Sequence, residues 1–464
     1  MGFTMPSNMT DTNATDLAYH LHSQTNPQTL ARDGAYVVVK GDGPHVIDES
    51  GKRYIDAMAG LWCASLGFNN ARLGRAAAAQ YEQLGYYHSF YGRTNPQAAA
   101  LSKKLVELTG MKDGKTFFVT SGSEANETMV KLAWLYHAGR GKPTKRKIIA
   151  RDRSFHGSTI VASSMCGLEM MHREFGLPLP GFLHTLHPNN YRVRQKGESE
   201  ADFVARLANE LENMIVREGP DSIAAFIAEP VMAAGGILPP PQGYFPAIQK
   251  VLAKYDILCL DDEVVCGFGR TGNWFGRETV GMVPDMMSLA KGITSSYFPL
   301  AAVVVSPKIV EAVERYNEGG TAFGHGFTNA AHPVGAAVAS ETVAIYEEED
   351  IVGRVRKMGP LLGKRLKQAT DGSPIVGNVR GVGLMYGVEL VEDPSTGAPF
   401  APARQIGAQL AARAYEHGLV VRAMRDTIGF CPPLIIDEKH IEEIGGKLEK
   451  ALRDTERAIR EKSI

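Results

Sequence analysis

The middle of the chain alternates short apolar runs with segments of helical period. The apolar runs predict strands at residues 116–119, 147–150, 222–228 and 257–260. The helical segments between them lie at residues 124–136, 203–217 and 247–254. Alternation of this kind predicts an α/β fold, in which a mostly parallel central sheet is flanked by helices on both faces.

The two ends of the chain have a different pattern. Residues 35–59 contain short β-rich runs separated by turn residues, which predict hairpins, and residues 438–460 predict a closing amphipathic helix. We therefore predict a large domain at 75–325 and a smaller α+β domain built from residues 1–74 and 326–464. Residues 1–15 are predicted to form a loose tail, and residues 178–200 a long surface excursion.

Composition limits the possible partners and compartments. The net charge of the 464 residues is −1, which argues against a general nucleic-acid or acidic-membrane partner. No apolar run reaches the roughly 18 residues of a membrane-spanning helix, and residues 1–15 do not resemble a signal peptide. The five cysteines are scattered without a Cys-x-x-Cys pair, so we expect reduced thiols and a cytoplasmic location.

Lys291 is the first candidate for chemistry, because it stands between the apolar run 286–290 and Gly292. A lysine in a desolvated pocket has a lowered pKa, and its free amine attacks carbonyl groups. The alternative is a lysine that ends a strand and extends its amine to solvent.

Two motifs at predicted strand ends offer further candidates. Ser121 and Glu124 fit a capping box, and Gly122 and Ser123 would form an anion site at the helix N-terminus, although a simple helix cap is the alternative. Asp262 lies within three carboxylates, at 261–263, where a parallel sheet binds ligands. These carboxylates suit a protonated pyridine nitrogen, or they form a solvated charge run. No histidine or cysteine of suitable spacing lies nearby in sequence, so no metal site is predicted.

Three further features of the sequence bear on ligand binding. Residues 267–272 match G-x-G-x-x-G, but no helical period follows, so a loop that shapes a pocket is favoured over a dinucleotide site. Phe155 can stack on a flat ring, and Thr328 can donate a hydroxyl group to an anion. An anion cradle, a stacking aromatic side chain, a strand-end aspartate and a lysine together suit an aromatic phosphate that carries an aldehyde. Pyridoxal 5'-phosphate is such a molecule.

The chain resembles the class III (ω-type) aminotransferases, which are pyridoxal-phosphate enzymes of fold type I. The resemblance runs from about Leu17 to near the C-terminus. It is carried by seven motifs in the family's order: SGSEAN at 121–126, FHG at 155–157, AEP at 228–230, DEV at 262–264, GFGRTG at 267–272, AKG at 290–292 and HGFT at 325–328.

The resemblance assigns roles to these residues. It implies that Lys291 bonds the cofactor aldehyde and then moves a proton between substrate Cα and cofactor C4', and that Asp262 pairs with the pyridine nitrogen. Thr328 is expected to reach the phosphate of the other subunit, so the resemblance implies a homodimer with shared active sites and leaves a tetramer open. The expected cofactor-binding residues are Ser121, Gly122, Ser123, Phe155, His156, Glu229, Asp262, Val264, Lys291, Phe327 and Thr328.

Within the family, the chain resembles the amine:pyruvate subgroup. Arg422 resembles a mobile arginine that binds a substrate carboxylate and turns away for apolar amines, with a surface arginine as the alternative. The expected pocket also contains Trp62, Phe90 of the other subunit, Phe155 and Ala234. The family usually has tyrosine at position 155, so phenylalanine there predicts an unusually apolar pocket.

The expected reaction is ping-pong transfer of an amino group from a hydrophobic amine or ω-amino acid to pyruvate or a similar keto or aldehyde acceptor. One alternative is a transaminase for taurine, β-alanine or 4-aminobutyrate, or a related aminomutase, each of which needs a fixed cation for the ω-acid. Others are an NAD-dependent oxidoreductase that uses the glycine-rich loop, and a binding module without catalysis.

Overall fold

The computed structural model describes residues 10–316, 320 and 322–461, and these form fifteen helices and fifteen strands. In chain order the strands are β1 (Val38–Asp42), β2 (His45–Asp48), β3 (Arg53–Asp56), β4 (Lys115–Val119), β5 (Lys147–Arg151), β6 (Phe182–Thr185), β7 (Ile223–Ala228), β8 (Leu258–Asp262), β9 (Met286–Leu289), β10 (Ala301–Val305), β11 (Val376–Val382), β12 (Met385–Leu390), β13 (Leu419–Val420), β14 (Arg422–Met424) and β15 (Thr427–Phe430). The helices are α1 (Asp11–Tyr19), α2 (Pro27–Asp33), α3 (Ala59–Trp62), α4 (Ala71–Gln83), α5 (Pro96–Thr109), α6 (Gly122–Gly139), α7 (Ile160–Met165), α8 (Glu200–Glu218), α9 (Tyr244–Lys254), α10 (Gly276–Val280), α11 (Pro307–Tyr316), α12 (Pro333–Glu348), α13 (Ile351–Ala369), α14 (Ile406–Glu416) and α15 (Glu438–Arg460).

The central sheet has seven strands in the order β4-β10-β9-β8-β7-β5-β6. Its strands run parallel except β10, which is antiparallel to both of its neighbours. The predicted α/β fold of a mostly parallel sheet between helices is confirmed. Since the parallel strands share one carboxyl edge, the loops that follow them meet on one side of the molecule.

Strand β7 shows why the sheet is covered on both faces. All six of its residues are buried, and they are divided between two apolar cores, one on each face of the sheet. Ile227 packs in the core that contains Met129 of α6, whereas Phe226 packs in the core that contains Leu207 of α8. A strand buried on both faces needs a continuous apolar run, and the sequence of β7 provides one.

Two smaller sheets are built from the ends of the chain. The N-terminal hairpin strands form the sheet β1-β2-β3-β13, in which β13 joins β3 in parallel through Leu419 opposite Ile55. The other sheet, β11-β12-β15-β14, is antiparallel. One sheet therefore contains both ends of the chain. The domain boundaries at 74/75 and 325/326 stay a prediction.

The structure differs from the sequence predictions at two segments. Residues 1–9 of the predicted tail lie outside the described residues, but 11–15 belong to α1, whose N-cap Thr10 accepts a hydrogen bond from the amide of Asn13. The predicted surface excursion contains β6, which forms the edge of the central sheet beside β5. Short edge strands carry too little apolar pattern to be recognised locally. Among the described helices, none combines the length and apolar content needed to cross a lipid bilayer.

Candidate active site

A cavity opens beside the carboxyl ends of β8 and β9 and the N-terminus of α6. We call it the active-site cavity. Ten of the predicted site residues line it, together with four others. The predicted residues are Trp62, Gly122, Ser123, Phe155, His156, Glu229, Ala234, Asp262, Val264 and Lys291, and the others are Asn126, Gly157, Ala233 and Val265.

The first turn of α6 forms one wall of this cavity. Ser121 caps the helix as predicted, because its hydroxyl oxygen accepts from the amide of Glu124 at 3.2 Å and the Glu124 carboxylate accepts from the amide of Ser121 at 3.2 Å. A Cβ at Gly122 would lie 2.9 Å from Val264 Cγ2, so only glycine lets Val264 pack this closely. The amide groups and the positive dipole end of the helix suit a phosphate group.

Asp262 is buried and accepts hydrogen bonds from three side chains, of which the Ser288 hydroxyl is the most distant at 3.4 Å. Its Oδ2 accepts from His156 Nδ1 at 2.7 Å and from Asn126 Nδ2 at 2.8 Å, and its Oδ1 accepts from the amide of Val264 at 3.1 Å. Burial raises the pKa of Asp262, but these hydrogen bonds and the charge of His156 outweigh burial, so the pKa lies below its ordinary value. Asp262 is therefore a buried, ionised carboxylate beside the cavity.

The carboxylates on either side of Asp262 have the opposite environment. Side chains alternate along a strand, so Asp261 and Glu263 point away from the face that carries Asp262. Burial raises the pKa of Asp261 well above its usual range and that of Glu263 to about 7. Glu263 accepts from the amides of Gly276 and Arg277 at 2.9 and 2.7 Å. Of the three carboxylates, Asp262 lines the cavity, and Glu263 anchors the chain behind the cavity.

Lys291 is separated from β9 by one residue, and it starts a short 3-10 helix whose N-cap is Ala290. Its φ of 48° lies in the left-handed region, which a residue with a Cβ occupies at a cost of about 1–3 kcal/mol. Burial lowers the pKa of its amine, although Cys63, Asp262 and Glu229 partly oppose this effect. The Nζ atom lies 5.3 Å from the ring centroid of Trp62. A lysine with a lowered pKa suits attack on a carbonyl group.

Glu229 fixes the segment that carries Phe155. Its carboxylate accepts from the amide of Phe155 at 3.1 Å and from the amide of Ala233 at 2.8 Å. Burial raises the pKa of Glu229 from its ordinary value. Glu229 thereby joins the wall that contains Phe155 to the wall that contains Ala233, and both walls stay mainly apolar.

Arg422 lies at the side of the cavity, with its guanidinium carbon 4.9 Å from the ring centroid of Trp62. Burial lowers the pKa of this guanidinium from its ordinary value. Within the described ranges, no carboxylate forms an ion pair with Arg422. An unpaired, half-buried guanidinium is suited to a carboxylate that comes with a ligand.

Five predicted residues are not among those that line the active-site cavity of this chain: Arg422 at its side, Ser121, Phe90, Phe327 and Thr328. Phe90 lines a second cavity with Gly326, whose Cβ, if present, would lie 2.8 Å from the ring of Phe90. Thr328 is exposed, and its carbonyl accepts from Tyr86 Oη at 2.8 Å. That Phe90 and Thr328 serve the other subunit stays a prediction.

Asn126 is the clearest residue that the sequence predictions missed. It lies one helical turn after Ser123, so both side chains share a face of α6. Its buried amide also donates to the carbonyl oxygen of His156 at 2.7 Å. The sequence did contain a signal for Asn126, since a polar side chain on the buried face of a helix needs hydrogen-bond partners.

The glycine-rich loop at 267–272 does not line the active-site cavity. It lies behind it, because a Cβ at Gly292 would be 3.1 Å from Phe268 Cβ. Arg270 of the loop is buried and donates to the carbonyls of Leu384 and Pro432 at 3.2 and 2.5 Å. The loop thus supports the lysine segment and ties it to the C-terminal part of the chain.

The groups around the cavity fit pyridoxal 5'-phosphate. The cofactor has an anionic end, a basic ring nitrogen and an aldehyde. The cavity offers helix-end amides beside Gly122, an ionised carboxylate at Asp262 and an amine at Lys291. Gly157 adds to the fit, since a Cβ there would lie 2.4 Å from Ser123 Oγ and would crowd the anion cradle.

Comparison with known proteins identifies the family. The model of the class-III aminotransferase family matches residues 29–452. The chain is 46% identical to the chloroplastic gamma aminobutyrate transaminase 3 of Solanum lycopersicum, over 97% of this chain and 88% of that protein. It is 45% identical, with a TM-score of 0.95, to the ω-transaminase of Pseudomonas jessenii in complex with PMP, over 97% and 99% of the two chains.

A third protein shows the same likeness. The PMP-bound aminotransferase of Vibrio fluvialis is 42% identical to this chain, with a TM-score of 0.93 and coverage of 96% of this chain and 98% of that one. Since family, sequence and structure all agree, the chain belongs to the class-III aminotransferases, and it is a transaminase whose cofactor is pyridoxal 5'-phosphate.

Proposed function

We propose that this enzyme transfers an amino group from a hydrophobic primary amine or an ω-amino acid to pyruvate or a similar keto or aldehyde acceptor. The observation that carries the proposal is the unpaired guanidinium of Arg422 beside the apolar cavity. A keto acid brings a carboxylate to this cation. An apolar amine brings a side chain that Trp62, Phe155 and Val264 can cover.

The proposed chemistry assigns one task to each polar residue. Bound pyridoxal phosphate supplies an aldehyde that bonds amines and a ring that accepts electrons. Lys291 Nζ takes the proton from the substrate Cα, because its lowered pKa leaves part of the amine uncharged. Asp262 holds a proton on the ring nitrogen through its ionised carboxylate, and Gly122 and Ser123 hold the phosphate.

Arg422 decides how one cavity accepts two kinds of substrate. With a keto acid, the guanidinium binds the carboxylate through two parallel hydrogen bonds. With an apolar amine, it stays beside the Trp62 ring, where a cation is favourable by about 0.5–2 kcal/mol. Phe155 adds no hydroxyl group that an apolar substrate would have to desolvate.

The test is a panel of donors with pyruvate as acceptor: 1-phenylethylamine, 4-aminobutyrate, β-alanine and taurine. We expect Arg422→Ala to raise KM for pyruvate by about 10- to 100-fold, which is the value of a charged hydrogen bond. The amine half-reaction with 1-phenylethylamine should change little. Arg425→Asn is the matched control, because Arg425 is exposed and has a φ of 54°, which asparagine tolerates.

A transaminase dedicated to 4-aminobutyrate is the second candidate, because curated relatives 44–46% identical to this chain are named gamma aminobutyrate transaminases. The donor panel separates the two candidates. Reaction of the ω-amino acids alone would overturn the broad amine specificity, and reaction of 1-phenylethylamine supports it. An Arg422→Ala enzyme that keeps its KM for pyruvate would overturn the role of Arg422.

We also propose a homodimer with shared active sites. The aromatic stretch that includes Tyr86, Tyr87 and Tyr91 is exposed, and Tyr86 is bonded to the segment that contains Thr328. Exposed aromatic patches of this kind mark protein interfaces. Sedimentation of the holoenzyme should give twice the mass of one chain, or four times if dimers pair into a tetramer, and Thr328→Val should weaken cofactor binding if Thr328 reaches the partner's phosphate.

A cytoplasmic location is part of the proposal. The five cysteines are all free thiols, and four of them are buried. Free thiols are usual in reducing compartments. Cell fractionation with an antibody against the native chain tests this location.

A further inference from the structure

A second large cleft lies away from the active-site cavity, with a volume of about 1090 Å³. Its walls are the loop at 189–198 that follows β6, helix α13, and strands β11 and β12. We call it the basic cleft. It joins the edge of the central sheet to the C-terminal part of the chain, and it shares none of its lining residues with the active-site cavity.

Positive charge dominates the basic cleft. Its charged lining residues are one carboxylate and five cations, namely Glu198, Arg194, Lys196, Lys364, Lys367 and Arg380. Arg206 already neutralises Glu198 through hydrogen bonds of 2.7 and 2.9 Å, and Glu389 pairs with Arg380. The other four cations form no ion pair within the described part of the chain. Four unpaired cations around one cleft favour a multivalent anion.

Two buried polar atoms beside these cations also lack partners. Asn189 lines the cleft and is only 2% exposed. Its Oδ1 accepts from the amides of Tyr191 and Arg192, both at 3.1 Å, but its Nδ2 has no partner among the described residues. The hydroxyl of Tyr191, which also lines the cleft, is unpaired in the same way. A buried donor without an acceptor costs about 1–3 kcal/mol, so the polar groups in this wall of the cleft are incompletely satisfied.

We propose that the basic cleft binds a small organic molecule that carries two or more phosphate groups. The charges of Lys196, Lys364 and Lys367 balance those of the phosphates, since lysine serves phosphate as a point charge. The volume of the cleft exceeds that needed by an inorganic ion and suits an organic group of ligand size.

The basic cleft is linked to the active site through Arg380. The Arg380 guanidinium donates to the carbonyl of Gly236 at 2.7 Å and to that of Ile237 at 2.9 Å. Ala233 and Ala234, a few residues earlier in the same segment, line the active-site cavity. An anion that attracts the Arg380 guanidinium therefore weakens its hydrogen bonds to Gly236 and Ile237. The segment that forms one wall of the active-site cavity is then held less firmly.

Calorimetric titration of the holoenzyme with pyrophosphate tests the binding site. We expect binding that acetate at the same ionic strength does not reproduce, and at least a tenfold loss of affinity in K364E/K367E. Lys357→Glu is the matched control, because Lys357 is an exposed residue of α13 that does not line the cleft. Asn189→Asp keeps the acceptor for the two amides but should weaken pyrophosphate binding through repulsion.

Two results would overturn the binding site. One is pyrophosphate binding no tighter than that of acetate, and the other is an equal loss of affinity in Lys357→Glu and in K364E/K367E. The link to the active site has its own readout, a change in KM for the amine donor when pyrophosphate is added. Binding without any such change would overturn the link through Arg380.

Discussion

The Nδ1 atom of His156 lies 2.7 Å from Oδ2 of Asp262, and both side chains are buried. An ionised carboxylate only accepts hydrogen bonds, so Nδ1 carries the proton of this pair. The Nε2 atom of His156 has no partner within the described chain. This bond keeps Asp262 charged in an interior where burial alone would neutralise it.

Replacement of His156 should therefore affect Asp262 most at low pH. In His156→Ala the pKa of Asp262 should rise. Burial raises this pKa, and the hydrogen bond from His156 is the largest effect that lowers it. We expect kcat/KM to fall by about 10- to 100-fold, equivalent to one hydrogen bond to a charged group. The acidic limb of the pH profile between pH 5 and 9 should move to higher pH. His172→Ala is the control, and an unchanged acidic limb would contradict the role of His156.

Lys291 is expected to be indispensable for proton transfer. In Lys291→Ala we expect kcat to fall by about 100- to 10,000-fold, the usual contribution of a positioned acid or base. The absorbance band of lysine-bound cofactor should disappear while the protein still binds the phosphate. Lys308→Ala provides the comparison, because Lys308 pairs with Asp285 at the surface, and it should keep both activity and absorbance. A Lys291→Ala enzyme with near-normal kcat would exclude this role.

Glu263 should make stability depend on pH. Its pKa is raised by burial to about 7, whereas its ordinary value is 4.5. Between pH 4.5 and 7, Glu263 keeps its proton in the folded protein but releases it in the unfolded chain. The stabilisation is therefore fully present below pH 4.5 and is lost as the pH rises toward 7, by up to about 1.4 kcal/mol per pH unit.

Glu263→Gln tests this dependence, since glutamine does not titrate. Urea unfolding from pH 4.5 to 7.5 should show a flatter free energy of unfolding in the variant than in the parent protein. Glu278→Gln serves for comparison, because Glu278 is an exposed acid of the neighbouring helix α10. Equal slopes for Glu263→Gln and the parent protein would refute the raised pKa.

Gly157 should be essential for the anion cradle. Its φ of 136° is strained for any residue with a Cβ, and that Cβ would lie 2.4 Å from Ser123 Oγ. Gly157→Ala should lose about 1–3 kcal/mol of stability from strain and also bind the cofactor at least about tenfold more weakly. Gly141→Ala separates the two effects, because Gly141 has a φ of 74° but open space around its Cβ position. Equal cofactor affinity in both variants would contradict the crowding of Ser123.

Elements with a strong local period were predictable. The closing helix α15 was predicted at its observed bounds, because its apolar stripe and its capping residue Asp437 are both local signals. Strand β6 was missed, because a half-buried edge strand has no continuous apolar run. Helix α1 was missed for a related reason, since none of its residues is buried.

For the candidate site, too, some features follow from the sequence and others only from the tertiary structure. The sequence by itself determined which chemical groups the site can use: a lysine before a glycine, a capped helix that can hold an anion, and acids at a strand end. The family resemblance singled out Asp262 among these acids, and the tertiary structure supplied the physical reason, because the packing of β8 turns Asp262 toward the cavity and buries Asp261 and Glu263 behind it. Only the tertiary structure decided the partner of Asp262, since His156 is 106 residues away and reaches it only through the order of the strands.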